Sequence, residues 1–344
     1  MRNPLNKRFA REIRSNLGKY LGMFLMMVFA ASFTSGFLLA ASSIEKILGE
    51  MSETYAIEDG RFACDFEPDQ KALDAVEDLG VTLTQDYYSN VPFELGAADD
   101  GTQGITARAY PRRESVNLPA YAEGRAPEAA NEIALDRVFM TENHNLSIGD
   151  TVSVDGKDFT ICGMFTYPDY QALFADNSGF MFDAITFTVA EMSPEGYRSL
   201  DSGAEVYNYS YRFNDSSLDV VARSKIEEDM LDALSDNDAV VSNFLNAEDN
   251  QGIGYALDDV QGDQTMWTVL LFILVIIMAF VFVVLTGATI EAESSVIGTM
   301  LASGWRKREI IAHYMVLPTL VGLLGSSIGL AIGVNLLTDS MKGL

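Results

Sequence analysis

The chain has 344 residues, 48% of them hydrophobic, yet carries a net charge of −26 and two histidines. Residues 1 to 20 hold six basic side chains against Glu12, whereas residues 42 to 265 hold 44 acidic against 13 basic, so nearly all the acidity belongs to one internal segment. A single soluble domain is excluded by Leu21 to Ala41, Met266 to Ile290 and Ile310 to Leu337, three runs without Asp, Glu, Lys or Arg, each at or beyond the ~20 residues a helix needs to cross a bilayer.

Along the chain, residues 1 to 20 form a basic arm in which Leu5, Phe9, Ile13 and Leu17 recur every four residues. That spacing suits a helix lying among lipid headgroups, or one that only carries the topogenic charges. Residues 21 to 41 read as the first span. A cleaved signal peptide is the alternative, but the run is longer than the usual apolar region of a leader. Residues 42 to 265 form one large segment that begins helically through Ile44, Ile47, Leu48 and Met51. A short helix is expected near Gln70 to Leu79, then a β-rich core from about 81 to 213, written as VTLTQDYY, VPFELG, ITARAY, TVSVDG, FTICGMF, ITFTVA and EVYNYSYRF between turn signals. Helices are expected again in SKIEEDMLDALSD and VVSNFLNAEDN, leading into the second span at 266 to 290. A loop helix at 291 to 309 and a third span at 310 to 337 complete the order. The expected fold class is a membrane protein with α-helical transmembrane spans plus a large extracytoplasmic α+β domain with a β-rich core of short strands.

Positive charge beside a span is retained in the cytoplasm. The basic arm therefore stays inside the plasma membrane, residues 42 to 265 lie outside, and Arg306, Lys307 and Arg308 meet the same rule on return. Tyr20, Trp305 and Tyr314 fall at the expected inner boundaries and Trp267 at the outer one, where aromatic belts form. In the third span Gly325, Gly329 and Gly333 repeat at four-residue spacing, which lets two helix backbones approach closely in lipid, within one subunit or between two. Cys64 and Cys162 both lie in the external segment. An oxidising exterior permits a disulfide between them; two small buried side chains is the other reading.

No catalytic constellation stands out. The acidic residues read as a solvated surface, no GxxxxGK[ST] phosphate loop exists, no metal-ligand spacing is present, and neither a cofactor nor a nucleic-acid partner is expected. The spans hold no charge that could relay protons or bind a coupling ion. Energy for work outside would have to enter through a partner at the arm or the loop. In the loop, Val296, Ile297, Met300, Leu301 and Trp305 share one helical face beside the small Gly298 and Gly304. Acidic Glu291 and Glu293 precede that helix and Arg306 to Arg308 follow it, the polarity that suits a helix dipole. Such a helix can dock in a groove of another protein or lie on the membrane.

The loop resembles the signature of FtsX/MacB-like permeases of ABC transporters, an acidic residue, an Ile-Gly and a Leu-x-x-x-Gly followed by basic residues. Glu293, Ile297, Gly298, Gly304, Arg306 and Lys307 occupy those places, Met300 stands where leucine is usual, and Ser303 and Trp305 depart from the commoner residues. EGRAP, NEIALD, LSIGDTVSV and FTICGMF are similar to the family's external core, and NPLNKRFAREIRSNLGKYLGMFL to the start of long Gram-positive permeases. The resemblance implies a non-enzymatic permease subunit whose loop docks a cytoplasmic ATPase, paired with a second permease half or a copy of itself. ATP-driven closure would reshape the external domain to act on a substrate or partner protein there. It also implies a fourth span beyond residue 337, so the sequence is expected to be part of a larger permease. The rival class is a membrane-anchored sensor or ligand-binding protein.

Overall fold

The computed structural model describes residues 13–14, 16–96, 101–179, 181–201 and 203–341. Most of the basic arm, residues 1–12 and 15, lies outside the described residues. The chain divides into two compact units, residues 1–47 with 259–344, and residues 48–258.

The first unit contains three long helices, α1 (Leu17–Thr54), α5 (Gln251–Ala292) and α7 (Lys307–Met341), of which α1 and α5 also extend beyond it. Each has the length and hydropathy to cross a membrane. Large apolar side chains such as Phe280, 69% exposed, point away from protein on α5, as expected of a surface solvated by lipid. Glycines bring α7 against α1. A Cβ added at Gly325 would lie 2.9 Å from that of Met27, and one at Gly329 2.8 Å from that of Ala31. At Gly333 it would collide with the Ser32 carbonyl and the Ser35 hydroxyl. The glycine stripe thus packs inside one chain. On α5, the Lys19 ammonium donates to the Leu285 carbonyl at 2.8 Å and to the Thr289 hydroxyl, and Trp267 packs on Phe33 and Phe37.

The second unit holds eleven strands and two cores. Six strands close on themselves: β3 (Tyr88–Glu94), β4 (Ile105–Pro111), β9 (Phe187–Met192), β6 (Glu132–Asp136), β8 (Lys157–Thr166) and β7 (Thr151–Val154), which returns to β3. Alternate residues turn inward, as the period of two requires. Val91 and Phe93 of β3 meet Ile105 and Ala107 of β4 and Phe159 and Ile161 of β8 in one core. β5 (Ala120–Gly124) pairs with the far edge of β8.

The second core lies under a sheet of β2 (Val81–Gln85), β10 (Glu205–Phe213), β1 (Gly60–Cys64) and β11 (Val241–Asn246). Two helices supply the rest of it. α2 (Gln70–Glu77) contributes Ala72, Leu73 and Val76, and α4 (Val220–Asp236), capped by Asp219, contributes Met230 and Leu234. A further short helix, α3 (Pro194–Arg198), follows β9. β10 belongs to both assemblies, since its first residues pair with β3 and its last with β1 and β2.

Two expectations need correction. VVSNFLN is not helical: its residues form β11 against the free edge of β1, and pairing outweighs local spacing. Nor is the acidity wholly solvated, because Glu58, Asp86, Asp136, Asp169 and Glu191 are buried.

Three of these carboxylates meet two arginines where the cores join. Arg113 donates to both oxygens of Asp86 at 2.7 and 2.6 Å and to Asp169 at 2.8 and 3.2 Å. Its guanidinium carbon lies 4.0 Å from the centre of the Tyr110 ring and 4.1 Å from that of Tyr167. Arg61 reaches Asp169 at 3.3 Å and Glu58 at 3.7 Å, and Glu58 also accepts from Asn117 at 2.9 Å and Ser210 at 2.5 Å. Burial pushes the Glu58 and Asp86 carboxyls above their usual range despite the guanidinium facing each.

Replacing Arg113 by Met strands two buried carboxylates and should destabilise the protein by roughly 3–5 kcal/mol in urea unfolding, with partial recovery when Asp86→Asn is added. A second expectation concerns pH. Burial pushes Asp136 up to about 6, although its carboxylate accepts from the Val138 and Phe139 amides at 2.8 and 3.2 Å. The folded state holds this proton more tightly, so its contribution is complete below pH ~4 and falls by roughly 3 kcal/mol as pH rises through about 6. Asp136→Asn keeps the acceptor oxygen and should remove that part of the slope from a pH series of urea midpoints.

Candidate functional site

The loop between α5 and α7 is a short helix held at both ends. α5 stops at Ala292, and α6 (Ser294–Ala302) follows after Glu293. Glu293 takes φ −103° and ψ 13° and does not cap α6 with its side chain. Its carboxylate accepts instead from the Tyr314 hydroxyl of α7, tying the start of the loop helix to the third span.

The far end explains the spacing of the motif. Gly304 adopts φ +95°, a conformation that favours glycine, and its amide donates to the Leu301 carbonyl at 3.1 Å. The Trp305 amide donates to the Met300 carbonyl at 3.2 Å. This is a left-handed glycine stop, which commonly carries an apolar contact between the residue after the glycine and one in the last turn. Positions 300 and 305 are those two residues, and both are apolar. Arg306 then opens α7, its amide bonded to the Glu309 carboxylate at 2.9 Å.

Ile297 and Leu301 line a groove with Ile290, Ile310, Tyr314 and Met315, while Val296 is exposed and no residue of α6 is buried. The single apolar face expected from sequence is thus divided. The dipole expectation is corrected too: Arg306, Lys307 and Arg308 stand at the amino end of α7 rather than in the last turn of α6, and Glu309 offsets them there. Gly298 is exposed, and a Cβ built on it would meet nothing within 4 Å.

The external motifs also converge. Arg125 of EGRAP donates to both oxygens of Glu132 in NEIALD, at 2.9 and 2.5 Å, and Glu132 accepts from the Glu128 and Ala129 amides. Hydrogen bonding to Arg125, then to those amides, holds the Glu132 carboxyl down at about 2. Gly163 of FTICGMF lies under Arg125, where a Cβ would strike the Arg125 carbonyl oxygen. Three stretches far apart in sequence therefore share one node. Cys162 is beside it, its thiol 3.6 Å from the Arg125 carbonyl, whereas Cys64 is on β1 in the other sheet; both thiols are free. His144 is buried against Phe139, with Nε2 2.9 Å from the Ile185 carbonyl oxygen.

Sequence reasoning missed the Tyr314 tether and the buried Arg113 cluster. The first had a signal, a tyrosine at the membrane boundary of α7 in reach of an acidic residue. The second had none, since its members are scattered from residue 58 to 169.

Three span-length helices, with a separate unit of strands and helices, define a membrane protein with an extracytoplasmic α+β domain. Residues 268–340 match the family described as FtsX-like permease C-terminal. Among solved structures, the periplasmic region of MacB from Actinobacillus actinomycetemcomitans is similar at 15% identity, covering 54% of this chain and 87% of that one with a TM-score of 0.32. The extracellular domain of the noncanonic ABC-type transporter YknZ from Gram-positive bacteria is 11% identical, covering 53% and 100%, TM-score 0.31. A domain of a putative permease protein from Porphyromonas gingivalis is 10% identical, covering 55% and 90%, TM-score 0.29. No curated protein matches.

Tyr314→Phe removes the tether on Glu293 while keeping the ring. The amides of 294–302 should then exchange with deuterium about tenfold faster, as expected for losing a hydrogen bond to a charged group, with little change in the external domain.

Proposed function

We propose that this chain is the permease subunit of an ABC transporter and that α6 is the surface on which a separate cytoplasmic ATPase docks. The basic arm and the loop at 291–309 lie inside, and residues 42–265 lie outside the plasma membrane. Spans at 21–41, 266–290 and 310–337 carry ATP-driven closure to the external domain, as export or as mechanical transmission, in a dimer with a second permease half or another copy. Glu293, Val296, Ile297, Gly298, Met300, Leu301, Gly304, Trp305, Arg306 and Lys307 form or shape the docking helix.

Gly298 carries this reading. Glycine inside a helix costs about 1 kcal/mol relative to alanine. Position 298 is helical, has no positive φ and faces open space among the described residues. Among the described residues nothing lies close enough to gain from the missing Cβ, but a partner backbone brought close to α6 would. The tether at Glu293 and the stop at Gly304 support it further, since a helix fixed at both ends transmits a push rather than absorbing it.

Gly298→Leu separates docking from folding. A glycine that serves only the chain itself would make the change neutral or stabilising. If α6 docks an ATPase, the variant should keep its melting temperature while the ATPase that copurifies from membranes falls by about tenfold or more, the loss expected from filling a close-packed contact. Undiminished copurification would reject the docking assignment.

A further inference from the structure

The external domain contains a pocket that neither its cores nor the loop accounts for. Arg112, Arg113, Glu114, Leu118, Pro119 and Tyr121 line it, with Glu191 of β9 also on its wall. Glu191 is 0% exposed. Its Oε2 accepts from the Tyr121 hydroxyl, but among the described residues Oε1 has no hydrogen-bond partner. The buried Tyr167 hydroxyl is a second polar atom without a partner, and it lies near enough for the Glu191 charge to raise it further after burial. Native interiors rarely leave such atoms unsatisfied, and an unmet pair beside a pocket marks the place of a missing group.

The chemistry of that group follows from what surrounds it. Glu191 is faced by Tyr121, Tyr167, Arg113, Arg112 and the Cys162 thiol. Arg113 is committed to Asp86 and Asp169, and Arg112 lies at the exposed rim, 3.9 Å from Glu114. Among the described residues no side-chain cation bonds Oε1, and burial holds the carboxyl above its usual range against the pull of Tyr121, Arg113 and Arg112. An anion would meet Glu191 and Glu114. A neutral group would leave a buried carboxylate uncompensated. A protonated amine supplies both the donor and the charge, and the Tyr121 ring with Leu118 and Pro119 offers apolar surface for its stem. The excess of 44 acidic over 13 basic residues across 42–265 concentrates cations at this domain.

We propose that this pocket binds a primary ammonium group on an alkyl stem, with Glu191 Oε1 accepting its hydrogen bond. This inference stands apart from the docking of an ATPase.

Calorimetric titration of the full chain in lipid nanodiscs tests this, with n-butylammonium and N-acetyl-lysine methylamide as probes and n-pentanol and N-acetyl-norleucine methylamide as neutral counterparts. Both amines should bind saturably, at least about tenfold more tightly than their counterparts. Glu191→Gln should weaken both amines by a similar factor at an unchanged melting temperature. Tighter binding of the lysine derivative would assign the ammonium to a peptide side chain, and equal binding to a free alkylamine; either supports the site. If Glu191→Gln does not fold, the wild-type comparison of amine with neutral probe decides. Equal affinity for charged and neutral probes, or no saturable heat with either amine, would overturn the proposal and leave ordered water as the partner of Oε1.

Discussion

The guanidinium of Arg113 is the constraint on which the external domain depends. The closed six-strand assembly and the helix-covered sheet each have their own apolar core, and apolar burial alone would let the two slide. Arg113, leaving β4, fixes them by holding Asp86, from the turn between β2 and β3, and Asp169, from the segment after β8, in one bidentate arrangement between two tyrosine rings. Such a cluster is a poor source of net stability, because desolvating the charges costs about what their attraction returns. Its geometry is unforgiving, however, and it ties β10, which passes through both assemblies, to one register.

The loop shows the same economy by different means. A nine-residue helix is too short to persist alone in water. It is held by a tyrosine on the following span and by a glycine that only a left-handed turn explains. The motif letters around position 300 are thus in part instructions for ending a helix, which accounts for methionine there: the stop needs an apolar side chain, not leucine in particular. Gly298 has no such internal role, and that separates it from Gly304.

How much of this could be read from the sequence depended on the range of the interaction. The three spans were legible because twenty apolar residues without a charge have few other uses, and runs such as TVSV and FTICGMF were legible because alternation is local. The sequence segment 241–246 misled because its partner, β1, lies far away, and strand pairing rather than local spacing decides its state. The buried charges were hidden for the same reason. Asp86, Arg113 and Asp169 look like surface residues in their own neighbourhoods, and only the fold brings them together. In the loop the polarity of the charges was legible, but the four-residue turn that moves Arg306 to Arg308 onto the next helix was not.

The pairing of β1 has a consequence for how the protein is made. Its neighbours, β10 and β11, are translated long after it, and β11 ends only a few residues before the helix that becomes the second span. Both edges of β1 therefore stay bare while the rest of the domain emerges, and bare edges invite pairing with other chains. The two parallel pairs, β4 with β9 and β6 with β8, also join distant segments and form slowly. The acidity of the segment keeps the waiting chain extended and self-repelling. Ribosome stalling ahead of residue 241 would thus leave an anchored, half-built domain, and maturation of the external part is timed by the arrival of the second span.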